Sequence, residues 1–307
     1  MKSYFIIMII SSFTICSCAV SKNITSPELI NQISKDARGG DMLLGKCTRA
    51  ALMQAPFAEW FKSNYDSYVV DSFTCNFIRP LLAGKTITIF LGTWCGDSKR
   101  EVPRVLKMLD CCNFPEQNLT LVMVSNKDSL YKKSPQHEEA GKGIFRVPTV
   151  IVYRNGVELN RINEFPVTSL ENDLYTILSR QSYSPNYKTF SFISSWLVNG
   201  GLLNKNISAR SLAAQLRHLT EGEHELNSLA YLLAKQGMKE EALKIFQVNY
   251  LLYPESANVV SGLGEGYYKA GDVKNAIVYL EKSLELNKDP RMIKGILTVL
   301  YEAKGLK

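Results

Sequence analysis

The sequence predicts two unlike parts, an α/β sandwich over residues 41–180 and an all-α helical repeat domain over residues 226–307. Two observations carry this. In the first part, apolar β-branched runs alternate with stretches of helical apolar spacing, the pattern of a sheet covered by helices. In the second, residues of like character recur 34 positions apart, which marks stacked helix pairs. A chain of 307 residues, 46% hydrophobic and 21% charged, is long enough for both.

In the first part, Pro56-Phe57-Ala58-Glu59-Trp60-Phe61 reads as a helix start, with Pro56 in the first turn and Phe57, Trp60 and Phe61 on one face. Thr86-Ile87-Thr88-Ile89-Phe90-Leu91 reads as a buried strand, and Arg104 to Leu109 carries helical spacing. Leu119 to Val124 is the next strand. The polar stretch 126–143, which holds Lys127, Asp128, Lys132, Lys133, Pro135, His137, Glu138 and Glu139, reads as a loop with a short helix. A strand then follows Pro148 and turns at Asn155-Gly156. A helix from about Ser169 to Ser179 completes this part.

Residues 181–225 change in character. Ser182-Tyr183-Ser184-Pro185-Asn186 is a linker signal, and Tyr187 to Val198 and Ile207 to Leu219 read as a helical hairpin around Gly200-Gly201. From there Gly237, Gly271 and Gly305 stand in register (237 + 34 = 271; 271 + 34 = 305). So do Leu229 with Leu263, Ala230 with Gly264, and Ala242 with Ala276. The small residues suit places where helices approach closely, and the same packing accounts for the glycine-rich Gly262-Leu263-Gly264-Glu265-Gly266. Met292 to Ala303 reads as a capping helix. The pattern resembles tetratricopeptide repeats, and the resemblance implies a concave surface for a protein partner.

The chemistry concentrates at Thr93-Trp94-Cys95-Gly96-Asp97-Ser98-Lys99-Arg100-Glu101-Val102-Pro103. Cys95 stands where a strand gives way to a helix. A sulfur there lies near unpaired backbone N–H groups and the positive end of the helix dipole, which favour thiolate over thiol. Lys99 and Arg100 act in the same direction, and Asp97 acts against it. The stretch resembles the active-site segment of the thioredoxin superfamily, closest to its membrane-tethered TlpA/ResA-like branch. Trp94, Cys95, a basic residue at Lys99 or Arg100, Glu101 and Pro103 fall at the matching offsets. Gly143-Ile144-Phe145-Arg146-Val147-Pro148-Thr149 resembles the family's cis-proline segment, 53 residues on (148 − 95 = 53). The resemblance covers residues 41–180. It implies that Cys95 is the nucleophile, with Ser98 and Glu101 in the same catalytic segment. It also implies that Trp94, Val147 and Pro148 border a groove where the Val147 backbone pairs with an extended client.

One departure sets the form of that chemistry. The family's second, resolving cysteine is Ser98 here. A Cys-x-x-Ser site attacks a disulfide but has no thiol of its own with which to release the product. Ser98 is placed to hydrogen-bond the Cys95 thiolate. The family's buried acidic residue, six positions before the nucleophile, is Ile89, and Glu101 is the candidate substitute.

Residues 1–18 read as a targeting segment whose apolar core, Tyr4 to Ile10, is too short to span a bilayer. The end of this segment resembles a bacterial lipobox, which implies lipidation of Cys18. Residues 19–40 then read as a tether. Ala19 and Val20 carry no acidic retention signal, so the expected place is the bacterial cell envelope, lipid-anchored at the outer membrane and facing the periplasm. Export implies an oxidising setting and exported thiol or disulfide proteins as clients. Of the remaining Cys47, Cys75, Cys95, Cys111 and Cys112, the last two lie more than about 20 Å along a continuous helix from Cys95. Cys47 and Cys75 are left to pair with one another, or one of them to approach Cys95.

The net charge of +7 is modest, and no Lys/Arg block with interleaved aromatics is present, so nucleic acid is not an expected partner. No cofactor is implied. His137, His218 and His224, in separate contexts, do not make a metal site. The expected function is thiol–disulfide exchange; the alternative is a non-redox adaptor built on the same two parts.

Overall fold

The computed structural model describes residues 30–306. The expected targeting segment, Cys18 and the first part of the tether lie outside the described residues. Six strands form one mixed sheet: β1 (Gln32–Lys35), β2 (Asp41–Cys47), β3 (Lys85–Leu91), β4 (Leu119–Met123), β5 (Thr149–Arg154) and β6 (Val157–Asn163). Their order is β1-β2-β4-β3-β5-β6, with β3 and β4 parallel and the other neighbours antiparallel. Gln32–Lys35, expected within the tether, instead pairs with Asp41–Leu44 at the sheet edge. Its polar sequence hid the strand, because an edge strand is held by backbone bonds to one neighbour and needs little apolar surface.

The central strands are built for burial on both faces. Ile87, Ile89 and Leu91 of β3, Leu121 and Met123 of β4, and Val150 and Val152 of β5 face one core. Phe90, Val122 and Ile151 point the other way, into a smaller core with Val124, Ile144 and Val147. This is the two-residue alternation of strands with apolar residues on both sides. The larger core is closed by helices α1 (Arg49–Leu52), α2 (Ala58–Ser67), α3 (Ser72–Leu81), α4 (Gly96–Cys111) and α5 (Leu170–Leu178). Pro56 precedes α2 rather than entering its first turn, and its bond to Ala55 is cis. Ser169 caps α5 by accepting the Asn172 N–H.

The second part is helical throughout: α6 (Lys188–Val198), α7 (Ala209–Leu216), α8 (Glu223–Lys235), α9 (Lys239–Leu252), α10 (Ala257–Ala270), α11 (Val273–Leu286) and α12 (Pro290–Ala303). The pairs α8/α9 and α10/α11 start 34 residues apart (257 − 223 = 34; 273 − 239 = 34). Gly271 closes α10 in the left-handed region at φ +86°, which an L side chain resists. At Gly264 an added Cβ would lie 2.8 Å from Leu280, and at Gly266 it would lie 2.6 Å from Phe246. The glycines of α10 thus let helices meet at contact distance. No helix among the described residues is long and apolar enough to cross a membrane.

The two parts touch directly. Tyr131 and Phe145 of the first pack on the core of the second, with Phe145 5.0 Å from Phe190 between ring centroids. Gln236 donates to the Tyr131 carbonyl at 3.1 Å, and Arg146 donates to Ser228 Oγ at 2.7 Å. The segment that the helical part grips is the one leading into Val147.

Candidate functional site

Cys95 is the N-cap of α4. Its backbone is extended (φ −88°, ψ 128°), its carbonyl accepts the Lys99 N–H at 3.0 Å, and its N–H donates to the Gly92 carbonyl at 2.9 Å. These bonds hold the half-buried side chain at the mouth of a 16-residue helix. Its Sγ donates to the Val147 carbonyl oxygen at 3.3 Å. The bond from Val147 to Pro148 is cis, and Val147 is buried. The Val147 N–H makes no hydrogen bond among the described residues. Two segments about fifty residues apart in sequence therefore meet at one sulfur.

Trp94 forms the adjoining wall. Its Nε1 donates to the Val124 carbonyl at 2.8 Å, and its ring lies 5.7 Å from that of Tyr131. Gly92 makes room for it: a Cβ there would fall 2.5 Å from the indole. Ser98 is fully buried, and its Oγ accepts the Gly92 N–H at 3.2 Å. The Ser98–Cys95 hydrogen bond suggested by the spacing is not made. Glu101 is also buried, held by Arg100 Nε at 2.6 Å and Arg104 Nη1 at 3.5 Å. It makes no contact with Cys95. Arg100 also reaches Asp97 at 2.8 Å, so the carboxylate nearest the nucleophile is paired with a cation.

The structure adds a group that spacing does not single out. Lys132, in the loop after β4, is only 8% exposed, and its Nζ donates to the Phe145 carbonyl at 2.5 Å. Burial pulls its pKa down to about 8, and the neighbouring Arg146 and Lys235 add to the fall. Cys95 as thiolate and Glu164 oppose it. Around it, Arg146 lies 3.4 Å from Glu164 and stacks 4.6 Å over the Tyr187 ring, and Tyr187 donates to Glu164. Burial raises the Glu164 carboxyl, with Arg146 acting against the rise. Burial likewise raises the Tyr131 phenol. Lys235, from α8, sits 4.8 Å above the Tyr131 ring and pairs with Asp128 at 3.2 Å. In sequence Lys132 is one of several charges in a polar run, and nothing local separates it from Lys127 or Lys133.

Beside Trp94 opens a cavity of about 570 Å³, bordered by Arg38, Trp60, Lys99, Tyr131 and Lys235. Its lining mixes aromatic walls and these cations with the carboxylates of Asp36 and Asp41, a setting suited to a peptide-like group rather than to a simple anion. Among the described residues no cluster of His, Cys, Asp and Glu could hold a metal ion. The remaining sulfurs are elsewhere: α4 runs unbroken to Cys111, about 24 Å from the Cys95 end, and Cys47 donates to the Leu44 carbonyl at 3.7 Å. Cys75 stands by Cys111 and Cys112, not by Cys47 or Cys95. All five described cysteines are free thiols. The arrangement supplies one half-exposed sulfur, a helix N-terminus, a buried cation and an open backbone edge. No protein-family model matches this chain, and no curated protein matches it.

Proposed function

We propose that this chain is a thioredoxin-like thiol–disulfide exchange protein with Cys95 as its single nucleophile. It acts on exported proteins from a lipid anchor at Cys18 in the bacterial envelope, and its tetratricopeptide-like helices hold a protein partner. The observation that carries this reading is the placement of the Cys95 sulfur at the N-terminus of α4, 3.3 Å from the Val147 carbonyl. A thiolate is favoured at a helix N-terminus. A client strand laid along Val147, whose N–H is open, brings its disulfide to that sulfur.

The chemistry balances without a resolving cysteine. The Cys95 thiolate attacks one sulfur of a client disulfide, forming a mixed disulfide and releasing the client's other sulfur as thiolate, which takes a proton. If a second client thiol then attacks the client sulfur of that bond, Cys95 is released and the client has exchanged one disulfide for another with no net change in electrons. If two equivalents of an external thiol act instead, the client leaves as a dithiol and the external thiol leaves as its disulfide. Ser98 supports this reading in one respect: buried against Gly92, it keeps the turn in shape without supplying a competing sulfur.

The test is thiol trapping in cells. After acid quench and alkylation, the full chain is expected to run on non-reducing gels with slow-migrating adducts that vanish on reduction and are absent from Cys95→Ala. If both proteins run alike, and Cys95 alkylates near neutral pH no faster than an ordinary cysteine, the exchange reading is wrong and the adaptor reading replaces it.

A further inference from the structure

Three cysteines meet at the end of α4 opposite Cys95. Cys75 lies in the first turn of α3, Cys111 is the last residue of α4, and Cys112 is its C-cap. Cys75 Sγ is 4.0 Å from the Met108 carbonyl oxygen, which also accepts the Cys112 N–H at 3.0 Å. One helical turn along α3, Arg79 donates to the Cys111 carbonyl at 3.0 Å. The face of α3 that carries Cys75 and Arg79 is thereby pinned to the last turn of α4. Burial raises the Cys75 thiol, and the neighbouring thiols of Cys111 and Cys112 add to the rise. Cys75 and Cys112 share the main core with Ile78 and Leu109, while Cys111 is partly exposed.

We propose that Cys75 and Cys112 form a disulfide tying α3 to the end of α4, with Cys111 as the neighbouring thiol that can take the bond over by exchange. In its formation the two thiols give up two protons and two electrons as the S–S bond is made. The acceptor is an external disulfide, which is cleaved to two thiols. In the exchange, the Cys111 thiolate attacks the Cys75 sulfur, the bond to Cys112 breaks, and Cys112 leaves as thiolate and takes a proton; no electrons are consumed. Burial raises the thiols of Cys75 and Cys112, the latter to about 11, so the reduced pair reacts slowly once folded. The bond therefore forms while the chain is still folding.

The loop it closes spans 37 positions (112 − 75 = 37) and contains β3, Cys95 and the whole of α4. A cross-link of that span restricts the unfolded chain around the element that carries the nucleophile. The inference does not depend on what Cys95 does, because α4 keeps the two sets of sulfurs apart.

The full chain, refolded with excess hydroxyethyl disulfide, is unfolded without reductant, alkylated and analysed by peptide mapping beside a fully reduced control. The expected result is a cross-linked pair joining the Cys75 peptide to the Cys111–Cys112 peptide, with a urea midpoint above that of the reduced protein. In Cys112→Ser the cross-link is expected to move to Cys111; its absence there would remove the exchange arm. Full alkylation of Cys75 in the oxidised wild-type chain, or a Cys75–Cys47 link, would overturn the proposal without reference to any variant.

Discussion

The ammonium of Lys132 donates at 2.5 Å to the carbonyl oxygen of Phe145, two residues before the carbonyl that receives the Cys95 thiol. A buried cation thus stands behind the backbone edge on which the candidate nucleophile rests. The Cys95 thiolate favours the charged form of Lys132.

Lys132→Met removes the buried charge behind the edge that receives the Cys95 thiol, and is expected to slow alkylation of Cys95 at pH 7 by about three- to tenfold, the scale of one nearby charge in a partly buried site. Lys132→Arg, which keeps the charge, should restore most of the rate. Stopped-flow alkylation across pH 6 to 9 separates this from a folding defect, since a structural loss would not be rescued by charge.

Lys132 also makes stability depend on pH with a definite sign. Its folded pKa, about 8, lies below the ordinary 10.5. Below pH 8 the lysine is charged in both states and the native protein carries the full cost of burying it. Between about 8 and 10.5 the unfolded chain binds a proton that the native one does not, so stability rises with pH. The fall corresponds to about 3 kcal/mol. Urea unfolding at pH 7.5 and 10, which covers most of that window, should show the wild type gaining about 2 kcal/mol relative to Lys132→Met; an equal change in both proteins would contradict the assignment.

Gly92→Ala should disturb the site without touching its sulfur. The new Cβ falls on the Trp94 indole, which must move and give up its bond to the Val124 carbonyl. A loss of about 1–3 kcal/mol is expected from such overpacking, together with a red shift of tryptophan emission. A variant with unchanged emission and stability would show that the Trp94 wall yields freely.

Arg146→Ala should loosen the junction between the two parts. The guanidinium serves Glu164, the Tyr187 ring and Ser228, and its loss leaves a nearly buried carboxyl group without its cation. The expected cost is about 3 kcal/mol at neutral pH. Limited proteolysis should then cut near Ser182 to Tyr187, where the wild type resists.

Much of the architecture was legible because it is local. The β3 run, the helical spacing after Cys95, the Asn155-Gly156 turn and the 34-residue recurrence each follow from neighbouring residues and backbone preference. Where local signals were weak, the outcome differed. Gln32–Lys35 became an edge strand with almost no apolar signature, and Pro56 halted before its helix. At the site, Cys95 and Val147 were marked by motif spacing. The roles of Ser98 and Glu101 were not: one binds Gly92, the other Arg100 and Arg104. On a helix, spacing tells which residues share a face; it does not tell which partner a polar atom finds across the gap.

What the sequence by itself determined is the succession of β3, the helix after Cys95, β4 and the β5–β6 turn, the position of a cysteine at a helix start, and the period of the C-terminal helices. Those depend on hydrophobic periodicity, turn residues and caps, all read within a few positions. Only the tertiary structure decided that Lys132 is buried behind Val147, that Cys75 meets Cys111 and Cys112, and that α8 grips the loop leading to the site. Each of these joins residues far apart in the chain. Burial and electrostatics there arise from the packed assembly of both parts, and no local pattern encodes them.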